Sequence, residues 1–261
     1  MKKIAKDRIK TWFVTGASSG IGYEMCLQLL DKGYNVVAVA RHIPNLHHKN
    51  ALCLSVDVTK PENIKIAIQK GIERFEKIDV LVNNAGVSSN ITCEEETLEH
   101  MKDVMNVNFF GSFNTINALL PHFRKNKNGT IVNNSSMHGI SYRLLGSAYC
   151  SSKHALEGLT SVCKLETQKF CRVMAFEFGW FAGTNIVKNN NQQDTIVNEY
   201  KNLPSYDIDI STRAQNNLTK GVSCVIEQVE ELCLPRHLIL GFDAINKSKN
   251  EVNILKKLMC W

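Results

Sequence analysis

The sequence has no apolar run near the ~20 residues that a membrane-spanning helix needs. The stretch Met1 to Lys10 is basic but has no apolar core of the kind that marks a signal peptide. Both absences predict a protein of the cytoplasm with no membrane span. No two of the nine cysteines stand as Cys-x-x-Cys. An odd, scattered set argues against a disulfide framework and against a zinc site, and predicts reduced thiols and no metal. A long basic run is also missing: 31 Lys and Arg against 25 Asp and Glu give a net charge of +6 spread along the chain. A nucleic-acid partner therefore finds no support. Neither an internal repeat nor a linker divides the 261 residues, so a single domain over 1–261 is expected.

What is present starts with Tyr149-Cys150-Ser151-Ser152-Lys153. On a helix that spacing places a phenol and an ammonium on one face, one turn apart. A free tyrosine, with a pKa of about 10, is a poor acid or base at neutral pH. A nearby ammonium favours the phenolate and lowers that pKa, which equips the phenol for proton transfer.

Upstream, Thr11 to Thr15 reads as a short buried strand. It runs into Thr15-Gly16-Ala17-Ser18-Ser19-Gly20-Ile21-Gly22, followed by a helical pattern ending near Gly33. Strand, glycine turn and helix are the context of a dinucleotide-binding turn. Gly16 suits the tight turn, Gly20 the approach of a pyrophosphate, and Gly22 close packing of helix on strand. The helix N-terminus offers free N–H groups and the positive end of its dipole. A second strand, Asn35 to Ala40, ends at Arg41 rather than at the acid that usually holds the ribose hydroxyls of NAD. A guanidinium there suits a 2′-phosphate. The competing reading of Arg41 is a solvated surface arginine. His42, His47 and His48 lack acids or cysteines at useful spacing and read as loop histidines.

Further strands are expected at Leu52 to Val58, Ile78 to Asn83, Gly129 to Ser135, Cys171 to Phe178 and His237 to Leu240. Helices are expected at Pro61 to Glu76, at Thr97 to Lys127 with a break near Asp103, from Tyr149 to Phe170, at Thr212 to Glu231 and at the end. Strands separated by single helices imply an α/β fold with a doubly wound parallel sheet of about seven strands. Thr184 to Lys220 is polar and irregular and reads as a substrate lid.

The chain resembles the short-chain dehydrogenases/reductases over essentially its whole length. The matching residues are Thr15 to Gly22, Asp57-Val58, Asn83 to Gly86, Val107 to Gly111, Ser135 to Gly139 and Tyr149 to Lys153. The resemblance implies a Rossmann fold and a nicotinamide cofactor. It makes Tyr149 the general acid/base, Ser136 the holder of the substrate oxygen, and Asn108 the holder of a water in the proton relay. Lys153 would lower the tyrosine pKa and bind the nicotinamide ribose. Cofactor contacts would include Gly16, Ser18, Ser19, Gly20, Ile21, Gly22, Arg41, Asp57, Val58, Asn84, Ala85, Gly86 and Gly179. Thr184 would join them, one residue later than the family's threonine. Phe178-Gly179 replaces the family's usual Pro-Gly. Leu240-Gly241-Phe242-Asp243-Ala244 is similar to a motif of NADP-type, retinol-dehydrogenase-like and 17β-hydroxysteroid-dehydrogenase-like members.

Ser88, His138, Tyr142, Leu144, Leu145, Trp180 and Phe181 flank the expected site, and several are apolar. Of these, His138 and Trp180 join Ser136 and Tyr149 as substrate-pocket residues. The resulting expectation is an NADP(H)-dependent oxidoreductase of a small lipophilic carbonyl/alcohol pair, preferring NADPH to NADH and assembled as a homodimer or homotetramer. The alternative is a dinucleotide-binding redox sensor without catalysis; the presence of Asn108, Ser136, Tyr149 and Lys153 favours the enzyme.

Overall fold

Strand and helix alternate along the chain as its apolar pattern requires. The computed structural model describes residues 9–181, 184, 197–201, 203 and 216–258. The strands are β1 (Thr11–Thr15), β2 (Asn35–Ala40), β3 (Ala51–Ser55), β4 (Val80–Asn83), β5 (Thr130–Asn134), β6 (Arg172–Phe178) and β7 (His237–Leu240). They form one sheet in the order β3-β2-β1-β4-β5-β6-β7, and every pairing is parallel. The order reverses between β1 and β4. In such sheets, the crevice outside the carboxyl ends at the reversal is where ligands bind.

The helices are α1 (Gly20–Asp31), α2 (Pro61–Phe75), α3 (Leu98–Met105), α4 (Gly111–Asn126), α5 (Ser147–Thr167), α6 (Leu218–Glu230) and α7 (Phe242–Leu258). They cover both faces, so the central strands are apolar on both sides. Successive residues of β1 show this: Trp12 and Val14 join a core with Met25, Leu29 and Ile226, while Phe13 joins Ile64, Leu119 and Phe123 on the opposite face. The five residues of β1 are all buried.

Three boundaries differ from expectation: the helix expected from Thr212 begins at Leu218, capped by the Asn217 side chain that accepts from the Lys220 amide, and two others have local reasons. The third strand ends at Ser55, because Asp57 turns the chain by accepting bonds from the Thr59 amide and hydroxyl. The long helix after Thr97 is not broken near Asp103. It runs through α3 into a π-helical turn, Asn106–Phe110, and on into α4. One extra residue in that turn rotates Asn108 inward, where it is fully buried. Most of the expected lid, 184–220, lies outside the described residues.

Candidate active site

A cleft of about 670 Å³ opens across the carboxyl ends of the strands. At one end it is built mainly from backbone. Gly16 turns the chain at φ +65°, and Gly20 follows at +56°. Gly22 has no room for a side chain: a Cβ there would stand 2.4 Å from Asn84 Nδ2 and 2.5 Å from the Gly16 carbonyl oxygen. Ser19 precedes α1 without capping it, so the helix N-terminus keeps its amides directed at the cleft. Asn84 is the strut beneath this turn. Its amide donates to the carbonyls of Thr15 and Gly16 at 2.9 and 3.1 Å and its oxygen accepts from Asn134. Arg41 is exposed at the end of β2 and lines the cleft with Asp57 and Val58.

Side chains build the other end. Ser136 follows β5, and its hydroxyl accepts from the His138 amide at 3.1 Å. That hydroxyl is also close enough to the Tyr149 phenol to hold its pKa down. Tyr149 and Lys153 lie on α5, both nearly buried. Lys153 Nζ donates to the Asn134 carbonyl at 2.7 Å and stands 5.8 Å from the Tyr149 ring centroid. Burial lowers the Lys153 pKa to about 8, against the opposing pull of Glu157. His138 is buried edge-on to Tyr149, with ring centroids 6.4 Å apart. Burial drops its pKa to about 3, so the imidazole is neutral at physiological pH.

The geometry shows the hydrogen-bond partners of two of these residues. Burial raises the Tyr149 pKa; the Ser136 hydrogen bond and the Arg143 charge pull it back. The ammonium of Lys153, also expected to lower it, donates to the Asn134 carbonyl. Asn108 was expected to hold a water. Its side-chain amide donates to Val87 O and Ser152 Oγ, both at 2.9 Å, and its side-chain oxygen accepts from Val87 N at 2.8 Å. The side chain thus clamps the loop after β4 to α5, with both donors spent.

The cleft gathers Ser18, Ser19, Gly20, Ile21, Ala85, Gly86, His138, Gly179, Trp180 and Thr184 as expected. Gly22 and Asn108 lie behind its wall, as does Leu145, while Tyr142 and Leu144 point outward as exposed residues. A model of the short chain dehydrogenase family matches residues 10–195. The chain belongs to that family.

Among its relatives, dehydrogenase/reductase SDR family member 7 of Mus musculus is 33% identical over 204 residues, covering 72% of this chain and 57% of that protein. The chain thus spans little more than half the length of that mouse protein. The 3-ketodihydrosphingosine reductase of Bacteroides thetaiotaomicron is 33% identical over 193 residues, 72% of this chain and 71% of that protein. A solved short-chain dehydrogenase from Streptomyces avermitilis superposes with a TM-score of 0.89 at 27% identity, over 98% of this chain and 96% of that one.

In this short-chain dehydrogenase, Phe178 faces the core as well as the cleft. It stacks edge-on with Phe176 and Phe181, centroids 5.2 and 4.4 Å away. The turn after it does not depend on proline, because Asp243 fastens it. The Asp243 carboxylate accepts from the Trp180 amide at 2.7 Å and from Asn216 at 2.9 Å. A Cβ at Gly179 would strike that carboxylate at 2.2 Å. The Leu240 to Ala244 motif thus locks one wall of the cleft.

Sequence reasoning missed two features. Arg143 lines the cleft beside Tyr149, six residues before it and beyond helical spacing. Glu157, Glu177 and His237 also converge, their ligating atoms within 4.8 Å of one another. Separation in the chain hid this set, which the expectation of no metal did not weigh. His237 Nδ1 and Glu177 Oε1 are 2.7 Å apart, and that bond holds the histidine pKa up. Burial and the Glu177 charge push Glu157 up to about 7. His237 Nδ1 also stands 3.4 Å from Glu157 Oε2.

Proposed function

We propose that this chain is an NADP(H)-dependent oxidoreductase of a carbonyl/alcohol pair. The observation that carries the reading is the joining, in one cleft, of the open α1 N-terminus and glycine turn with Ser136, Tyr149 and Lys153. The residues present fit a dinucleotide: the glycine turn, Gly16 and Ser18 to Ile21, lines the cleft, and no side chain caps α1. Gly16 to Ile21 would hold the pyrophosphate, Asp57 and Val58 the adenine, Arg41 a 2′-phosphate, and Lys153 the nicotinamide ribose. Gly179 and Thr184 would flank the nicotinamide end.

When bound, the cofactor supplies or accepts the hydride. In reduction, Ser136 holds the substrate carbonyl oxygen by a hydrogen bond. Ser136 would keep that hydrogen bond as negative charge gathers on the oxygen. Tyr149 gives the oxygen its proton and becomes a phenolate. Lys153 keeps positive charge beside that phenolate. Oxidation runs the same steps backward. His138, neutral, orients substrate without competing for the proton.

The substrate end, with His138, Trp180 and Phe181, suits a small lipophilic compound, and the keto reductase among the relatives supports a ketone. The reading extends to a single domain over 1–261 closed by a lid at 184–220, and to a cytoplasmic homodimer or homotetramer with no nucleic-acid partner and no membrane span. Among the described residues no helix is long and apolar enough to cross a membrane. The test is Tyr149→Phe, with NADPH binding followed by tryptophan fluorescence and turnover by NADPH oxidation over a panel of ketones. Lost turnover with intact binding is expected. Retained turnover would refute the assignment; binding without turnover by the unaltered chain would favour the sensor alternative.

A further inference from the structure

Arg143 belongs to the loop that leads into α5, and its guanidinium is held in a socket. Nη1 donates to Asn90 Oδ1 at 2.6 Å and to the Leu144 carbonyl at 3.2 Å. Nη2 donates to the Ser89 carbonyl at 2.6 Å and to Ser88 Oγ at 3.1 Å. The four donors of the fork are used, three of them on the segment that follows β4. These four acceptors are uncharged, and the bonds fix the guanidinium in place. The socket places the guanidinium carbon 5.6 Å from the Tyr149 ring centroid. Lys153 Nζ is at nearly the same range, 5.8 Å, but is committed to the Asn134 carbonyl.

We propose that Arg143 is a positioning residue for the Tyr149 proton transfer: it fastens the Ser88 to Asn90 segment to the cleft and holds a permanent positive charge at the phenol. The proposal rests on the hydride-transfer reading for its purpose, though its physics does not need turnover. A phenolate made in a buried site needs a charge that cannot leave. Arginine suits this because it stays protonated at every working pH, whereas burial brings Lys153 down to about 8. Among the described residues, three other groups act on the phenol's charge. Ser136 donates or accepts a hydrogen bond, Cys150 opposes ionisation from the same helix, and Arg143 favours it. His138 is neutral, kept so by burial and by the charges of Lys247 and Arg143. A cation within this range typically lowers an acid's pKa by about one unit or more.

The test is direct titration of the phenol, with tyrosine labelled with ¹³C at Cζ and followed by NMR under saturating oxidised cofactor. The signal missing from Tyr149→Phe identifies the residue. Arg143→Met is expected to move its midpoint up by about one unit. Arg143→Lys, which keeps charge but loses the fork, should fall between. The acid limb of alcohol oxidation should shift by the same amount. An unmoved Tyr149 midpoint in Arg143→Met overturns the proposal even if turnover falls, because that is the signature of a merely structural role. A moved midpoint in a protein that turns over no alcohol or ketone upholds the proposal and refutes the hydride-transfer reading. Circular dichroism checks the fold; should Arg143→Met fail to fold, Arg143→Gln against Arg143→Lys makes the same comparison.

Discussion

The two ends of the cleft are built on different terms. The end beside α1 is backbone: a turn of glycines, an uncapped helix and one asparagine strut, nearly all within residues 15–22. The end beside α5 is side chains drawn from four separate segments: Ser136, Arg143, Tyr149 with Lys153, and Asn108 behind them. Backbone sites tolerate substitution of what surrounds them but not of the glycines themselves. Side-chain sites lose one function at a time. The difference predicts which changes abolish binding and which abolish only chemistry.

The largest effect is expected at the α5 end. Tyr149→Phe removes an interaction made mainly in the transition state, so kcat should fall by at least about 10²–10⁴-fold while cofactor affinity stays within a few-fold. Ser136→Ala should behave alike. Lys153→Ala should lose affinity as well as turnover; affinity unchanged in a fluorescence titration would remove Lys153 from the ribose. At the backbone end the pattern inverts. Gly22→Ala forces a methyl against Asn84 and the Gly16 carbonyl. It should cost about 1–3 kcal/mol of stability and weaken cofactor binding by at least about tenfold. A thermal melt like that of the unaltered protein would break the contrast between the two ends.

Arg41→Ala sharpens the comparison, because it is a side chain serving the backbone end. The unaltered protein should prefer NADPH to NADH by about tenfold, or ~1.4 kcal/mol, and the variant should lose most of that preference. Equal affinity for both cofactors before mutation would sink the reading. The smallest effect is expected behind the site. Glu157 keeps its proton up to about pH 7 in the fold, against an ordinary value of 4.5. Between those values the folded chain binds more protons than the unfolded one, so this contribution to stability falls as pH rises through about 7. Glu157→Gln is neutral throughout. It should raise Tm by ~2–4 °C at pH 8 and by little at pH 5; equal differences at both pH values would rule out the raised pKa of Glu157.

Much of this protein could be read from its residues in line. Helix and strand periods, the glycine turn and the Tyr149–Lys153 spacing are short-range, and steric and hydrogen-bonding rules act within a few residues. They sufficed for the alternation of elements, the parallel sheet and the four catalytic candidates. Tertiary structure decided the rest. The π turn that buries Asn108 depends on its partners Val87 and Ser152. Asp243 is a lock because β7 lies beside β6 and brings it under Trp180. Arg143 reaches Tyr149 because the segment after β4 offers its guanidinium a socket. Glu157, Glu177 and His237 meet because α5 packs over the sheet where β6 and β7 pair. In each case the partners lie about 20 to 80 residues apart, where no periodicity carries information and strand order alone sets what touches what.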